Sequence, residues 1–324
     1  IGDNVLCTPL IHNLKYHLPE TSISVLTWSY SQAVFENNPH IDQLFGLTKE
    51  NPLKGIKKTL NQINFSNFDL VISTHSGSVA SNLLAKIKTK YRVNNFYQGR
   101  NKSYNLITQE SDYYRSAIER DLDCLRSLGL ESFDIKTKIF LTDSEILAAK
   151  HTLIAKGLNH NKKKILVHPT AAVSIREWPL TKFNQLIIKL NQRKDIQIVV
   201  ICTESEYSRV KTLLEDIPDL IIFYQITVRQ MMAIIHQCDL VIDNDSSPSH
   251  IATALGIPTI VLFSQAILEI FRPYDYDNDQ HFVFYNDVDC RECGLTYCSN
   301  RICLDFSVDE VFSKAIEMLP LSNH

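Results

Sequence analysis

Residues 240–256 read Leu240-Val241-Ile242-Asp243-Asn244-Asp245-Ser246-Ser247-Pro248-Ser249-His250-Ile251-Ala252-Thr253-Ala254-Leu255-Gly256. The opening run is continuously apolar, as in a strand covered on both faces. Ser246 to Pro248 carry what a helix start prefers, hydroxyl caps and an early proline, and Gly256 is placed to end that helix. The same rhythm surrounds this stretch. Ile165-Leu166-Val167 runs into His168-Pro169, Ile196 to Ile201 is apolar apart from Gln197, and Ile221-Ile222-Phe223 and Thr259 to Phe263 are further strands. Helical segments at 180–190, 205–214 and 228–238 separate them. Apolar strands alternating with helices predict a parallel, doubly wound α/β sheet.

The first half has a fainter version of this rhythm. Helices are expected at Val5–Leu18, 31–37, 53–63, 78–87 and 113–128, with Gly129 ending the last. Strands are expected at 23–26, 69–73 and 91–93. A helix over 143–157 is followed by the polar run Asn159 to Lys164, where a domain junction is expected. The predicted organisation is a first domain over 1–158, a second over 159–306 and a closing helix over 307–324 that packs back on the first domain. Ser307 and Glu310 have the spacing of a capping box.

Composition excludes several classes. The 324 residues are 44% apolar and 21% charged, with a net charge of -3, so no global positive field recruits nucleic acid. No run approaches the ~18 apolar residues of a membrane span, and the start at Ile1 lacks the basic and apolar regions of a secretory signal. A reducing, cytoplasmic setting is the expectation. There is no Gly-x-Gly-x-x-Gly fingerprint of a dinucleotide oxidoreductase. Of eight cysteines, Cys290, Cys293, Cys298 and Cys303 fall within fourteen residues. Four thiolates can close round one structural zinc or iron; disulfides or free thiols are the alternatives.

Candidate chemistry lies just past strand ends, where open α/β sheets bind ligands. The start of the helix after Asp245 offers N–H groups, a positive dipole end and the hydroxyls of Ser246 and Ser247, which suit phosphate. An ordinary capped helix accounts for the same residues. Asp243 and Asp245 stand close together, and each would need its own partner. His168, Thr170 and Ala171 follow another strand end and lead to Arg176, a cation suited to a diphosphate; Trp178 reads as core. Asp3 stands before the first helix, at the mouth of any strand preceding Ile1. A carboxylate there serves as a cap or as a base for a hydroxyl.

These motifs, in this order, resemble the lipopolysaccharide heptosyltransferases, the ADP-heptose-using family 9 of glycosyltransferases. Ile1-Gly2-Asp3 with Thr8-Pro9 is similar to the family's Leu-Gly-Asp and Thr-Pro opening. His168-Pro169-Thr170-Ala171-Ala172 and Arg176-Glu177-Trp178-Pro179 are similar to its His-Pro-Gly-Ala-Ser and Lys-Arg-Trp-Pro segments, and Asn244 to His250 to its Asn-Asp-Thr-Gly-Pro-Met-His block. The resemblance implies a GT-B fold, two Rossmann-like domains facing each other across a cleft. It implies a single inverting displacement with Asp3 as base and Arg176 steadying the diphosphate. Donor contacts would come from His168, Thr170, Ala171, Asp245, Ser246, Ser247 and His250. The donor would be an ADP-sugar and the acceptor a lipid-linked or phosphorylated oligosaccharide touched by Lys54, Lys57 and Lys58, with transient association at the inner membrane. No catalytic metal and no nucleic acid are implied. Thr170 and Ser247 stand where the family has glycine, and Phe263-Ser264-Gln265-Ala266 where it has Phe-Gly-Pro-Thr. These departures keep another donor, an epimerase or hydrolase, and a non-catalytic nucleotide-sugar binder in view.

Overall fold

The computed structural model describes residues 1–324 apart from 49–56, 58, 62, 64–66, 76–82, 84, 95–104, 109–111, 113, 275–279 and 320–324. The chain divides into two compact units, Asp3–Phe140 and Leu141–His324. No helix among the described residues is long and apolar enough to cross a membrane.

The first unit opens with two helices, α1 (Gly2–Leu6) and α2 (Thr8–His17), where the sequence predicts one from Val5. The break at Cys7 has a local cause. Pro9 lies in the first turn of α2, where its missing N–H costs nothing, and the Thr8 hydroxyl turns back to the Val5 carbonyl at 2.7 Å. β1 (Ser24–Trp28) pairs in parallel with β2 (Gln43–Leu47). β3 (Phe68–Ser73), β4 (Thr89–Asn94) and β5 (Leu106–Ile107) form a second parallel sheet. The expected helix at 31–37 is a 3-10 turn over Ser29–Val34. The long helix expected from residue 113 is α3 (Ala117–Arg126), capped by Ser116. The expected helices over 53–63 and 78–87 fall largely outside the described residues.

The second unit begins with α4 (Asp143–Ala155). Its sheet then runs β6 (Lys163–His168), β7 (Ile196–Ile201), β8 (Ile221–Phe223), β9 (Leu240–Asn244), β10 (Thr259–Leu262) and β11 (His281–Phe284). The spatial order is β11-β10-β9-β6-β7-β8, and every pair is parallel. The chain walks outward one way from β6 and then the other way from β9. The order therefore reverses between β6 and β9, where crevices for ligands form. Helices α5 (Leu180–Asn191), α6 (Tyr207–Leu214), α7 (Val228–Ile235), α8 (Ser247–Ala254), α9 (Leu268–Phe271) and α10 (Val308–Met318) complete the unit. Its core gathers Ile165, Val167, Phe183, Ile198, Val200 and Ile242 with Trp178, all wholly buried.

Two boundaries differ from expectation. The polar run after residue 158 is not the junction, because α4 packs on α7. Glu145 of α4 joins Arg229 of α7 through a two-pronged ion pair at 2.7 and 2.6 Å, so the division comes before α4. The closing helix α10 packs on α5, and Val311 and Ala315 join the core of the second unit. Its capping box, Ser307 with Glu310, is present as predicted.

The Arg229 hydrogen bonds hold the Glu145 carboxyl down at about 2 against an ordinary 4.5, with Thr142 adding to the effect and partial burial opposing it. Arg229→Met should therefore lower the unfolding free energy at pH 7 by about 1–2 kcal/mol. A depressed carboxyl stabilises only while ionised, so the gap between variant and wild type should close as pH falls from 4.5 towards 2. Urea denaturation across that range checks it, and equal stability at pH 7 contradicts the ion-pair role.

Candidate active site

Asp243, at the end of β9, is wholly buried, and a buried carboxylate must be paired. It accepts the Ser249 N–H at 2.8 Å, the Ser246 hydroxyl at 2.8 and 3.0 Å and the His168 Nδ1–H at 2.8 Å. His168 lies directly opposite it in the sheet register. One carboxylate thus ties together the ends of β6 and β9 and the start of α8. The separate partners that two neighbouring aspartates demand are met for Asp243 by hydroxyl, amide and imidazole.

This arrangement changes what α8 can offer an anion. Of its first-turn positions, Pro248 has no N–H and Ser249 gives its own to Asp243. The Ser247 amide remains, beside a carboxylate that already offsets the helix dipole. What the helix start could offer a diphosphate is therefore the amides of Ser246 and Ser247, not that of Ser249. The cap of this helix is supplied from the strand, by Asp243.

Four of the expected donor contacts are likewise committed within the protein. Ser246 serves Asp243. The Thr170 hydroxyl, on a wholly buried residue, sits 3.2 Å from His168 Nε2. Burial alone would raise the nearby Glu206 carboxyl, but hydrogen bonds from Thr203 and Thr170 hold it below its ordinary value. The Ala171 N–H goes to the Glu177 carboxylate at 3.0 Å. Asn244 stitches the same loop to the strand, accepting the Trp178 N–H at 2.8 Å and donating to the Thr170 carbonyl at 3.2 Å. Trp178 is core, as read from the sequence, with its ring edge-on to Phe183.

Asp245 and Arg176 are different. Asp245 Oδ2 and Arg176 Nε are both buried without a hydrogen-bond partner among the described residues, and Arg176 Nη1 stands 3.6 Å from that same oxygen. Burial lifts the Asp245 carboxyl to about 6; Arg176 pulls it down and Asp243 pushes it further up. A desolvated acceptor and a cation with an unused N–H, side by side at the switch point, form a site that a polar, anionic ligand would complete. His250 is buried in the same segment.

In the first unit, Asp3 is exposed on α1. Asn4 Nδ2 donates to Thr27 Oγ1 at 2.8 Å, which holds α1 at the C-terminal end of β1. Burial, with the charges of Asp121 and Asp3, pushes the Cys7 thiol well up, and Thr74 after β3 hydrogen-bonds to it. Asp3 therefore stands near the C-terminal ends of β1 and β3. Lys57 is exposed, while Lys54 and Lys58 lie outside the described residues. The four clustered cysteines are free. Cys303 is buried in the core and Cys290 and Cys293 are exposed, and no three His, Cys, Asp or Glu among the described residues form a group that could hold a metal. Cys290 and Cys298 are near enough to add to the upward push that burial gives the Cys303 thiol, while Arg291 and Arg301 tie the intervening chain to the Ser264 and Glu177 carbonyls.

Arg209 and Glu206 were not named by sequence reading, and Glu177 and Asn244 only as members of their motifs, without roles; Glu177 stands at the position where the family segment has arginine.

The model for glycosyltransferase family 9 (heptosyltransferase) matches residues 56–300. Lipopolysaccharide heptosyltransferase 3 of Escherichia coli K12 is 25% identical over 288 residues, 84% of this chain and 82% of that protein. Among solved structures, a family 9 glycosyl transferase of Veillonella parvula superposes with a TM-score of 0.85 at 22% identity, covering 98% of this chain and 94% of its own. The E. coli heptosyltransferase WaaC with ADP superposes at 0.75 and 14% identity, covering 98% and 96%.

A carboxyl held at about 6 instead of 3.8 binds its proton more tightly folded than unfolded. Its charged form costs stability above pH 6, and the cost vanishes below about pH 4. Asp245→Asn is expected to be about 2 kcal/mol more stable than wild type at pH 8 and equal to it near pH 4. Urea melts at the two pH values test this; a variant less stable at pH 8 would contradict an uncompensated buried charge.

Proposed function

The chain belongs to glycosyltransferase family 9, the heptosyltransferase family, and we propose that it moves a heptose from ADP-heptose, with inversion, to a lipopolysaccharide core or related surface-glycan acceptor. The observation that carries this reading is the pair Asp245 and Arg176 at the sheet's switch point, each with a buried polar atom lacking a hydrogen bond among the described residues. A nucleotide sugar supplies both missing partners, sugar hydroxyls for the carboxylate and diphosphate oxygens for the guanidinium. The related WaaC structure contains ADP, which favours adenosine as the nucleoside.

In the proposed reaction Asp3 takes the proton of an acceptor hydroxyl as that oxygen bonds to the anomeric carbon. The bond from that carbon to the diphosphate oxygen breaks, and ADP leaves with the electron pair. One base suffices, because a single displacement needs no second carboxylate on the sugar. Negative charge grows on the departing phosphate, and Arg176 is the group set to meet it. No step is routed through a metal. The second unit holds the donor and the first the acceptor, with Lys57 a candidate for an acceptor phosphate. A lipid-linked acceptor brings the enzyme to the cytoplasmic face of the inner membrane.

The test is transfer from ADP-heptose to a truncated core acceptor, followed by mass spectrometry and by NMR of the anomeric configuration. Asp3→Ala should slow transfer at least about 100-fold with ADP affinity unchanged. Transfer at the full wild-type rate would remove Asp3 from the mechanism. Donor incubated alone should stay intact; rapid turnover without acceptor would favour an epimerase or hydrolase.

A further inference from the structure

Resting on the donor reading above, we propose that Glu177, which is buried, and Arg209 of α6, which grips it from the exposed side, form an anchor that positions Arg176 for the leaving diphosphate. Arg176 ends a 3-10 turn, Ser174–Arg176, with Ile175 buried beneath it. Nothing inside this three-residue turn fixes the direction of a long cation that is itself 37% exposed. The next residue is fixed from three sides. The Glu177 carboxylate, almost wholly buried, receives a two-pronged grip from Arg209 at 2.9 and 2.5 Å and the Ala171 N–H. Its carbonyl accepts from Arg301 at 2.9 Å. Trp178 is then held to Asn244.

The anchor closes the loop on itself. Ala171 lies near its start and Glu177 at its end, so one carboxylate sets the span between them. A buried carboxylate is costly without a charged partner, and Arg209 is that partner for Glu177. Arg301 adds a second sign of fixed geometry. Its backbone is left-handed, at φ 43°, uncommon for a non-glycine residue, and its side chain reaches both the Cys298 and Glu177 carbonyls. Glu177 stands where the family segment has arginine, so here the charge order is cation then anion, with the balancing cation on α6. Arg209 touches no donor in this scheme; it acts through Arg176.

A double-mutant cycle tests the proposal, because residues acting in series are not additive. ADP binding to the full chain is measured by calorimetry for wild type, Arg209→Ala, Arg176→Ala and the double variant, with thermal melts alongside. Each single change should weaken ADP binding about tenfold, and the double variant should bind no more weakly than Arg176→Ala. Glu177→Gln, which keeps an acceptor for Ala171 but loses the charge, should follow the same pattern if Arg209→Ala does not fold. Losses that add, or wild-type affinity in Arg209→Ala and Glu177→Gln, would overturn the anchor alone. If wild type binds another diphosphate in place of ADP, UDP or GDP, the cycle is run with that one. Wild type that binds none of the three overturns the donor reading, and the anchor with it.

Discussion

The second unit depends on one buried anion. Asp243 has no solvent to satisfy it, so its hydrogen-bond donors must come from the protein. Those donors come from the end of β6, the turn after β9 and the first turn of α8. Satisfying this carboxylate sets the spacing of the two central strands' exits at the place where strand order reverses. It also adds to the electrostatics of its neighbour. Burial above all lifts the Asp245 carboxyl to about 6, Arg176 opposes this from 3.6 Å, and the charge of Asp243 adds a smaller upward push. A hydrogen-bonded set of His168, Thr170, Ser246 and Ala171 surrounds a small unsatisfied region, and the unsatisfied region is the part suited to a ligand.

Much of this architecture was legible in the sequence, for a physical reason. Strands covered on both faces are largely apolar, so Ile196–Ile201 and the run Leu240-Val241-Ile242 stand out without any tertiary knowledge. Capping chemistry is local too, and Ser307 with Glu310 could be read from spacing. β2 could not. Gln43-Leu44-Phe45-Gly46-Leu47 lacks alternation and includes a glycine, and it is a strand because β1 pairs with it. The domain junction was misplaced for a similar reason. A run of lysines and asparagines marks an exposed loop, but only the packing of α4 on α7 shows which unit a helix joins.

The site was legible in its residues more than in its roles. Aspartates, serines and an arginine past strand ends point to the region proposed for the donor. Which amides remain free depends on where each side chain turns, and a carboxylate six residues before Ser249 gave no hint that it would take that residue's N–H. The cysteines teach the same lesson: close spacing in sequence suggests a common centre, yet Arg291 and Arg301 pin the intervening chain to Ser264, Asn286 and Glu177. Among the described residues no three of these cysteines form a group that could hold a metal. Of the substitutions of glycine by Thr170 and Ser247, the first then acquires meaning. Thr170 adds a buried hydroxyl to the His168 network, while nothing in the structure explains Ser247.

A crystal structure of the protein with ADP tests the central claim most directly. The account predicts phosphate oxygens within hydrogen-bonding distance of Arg176, with Asp243 still accepting from Ser249 and His168. A diphosphate seated on the Ser249 amide with Asp243 displaced, or bound away from Arg176 altogether, would contradict it.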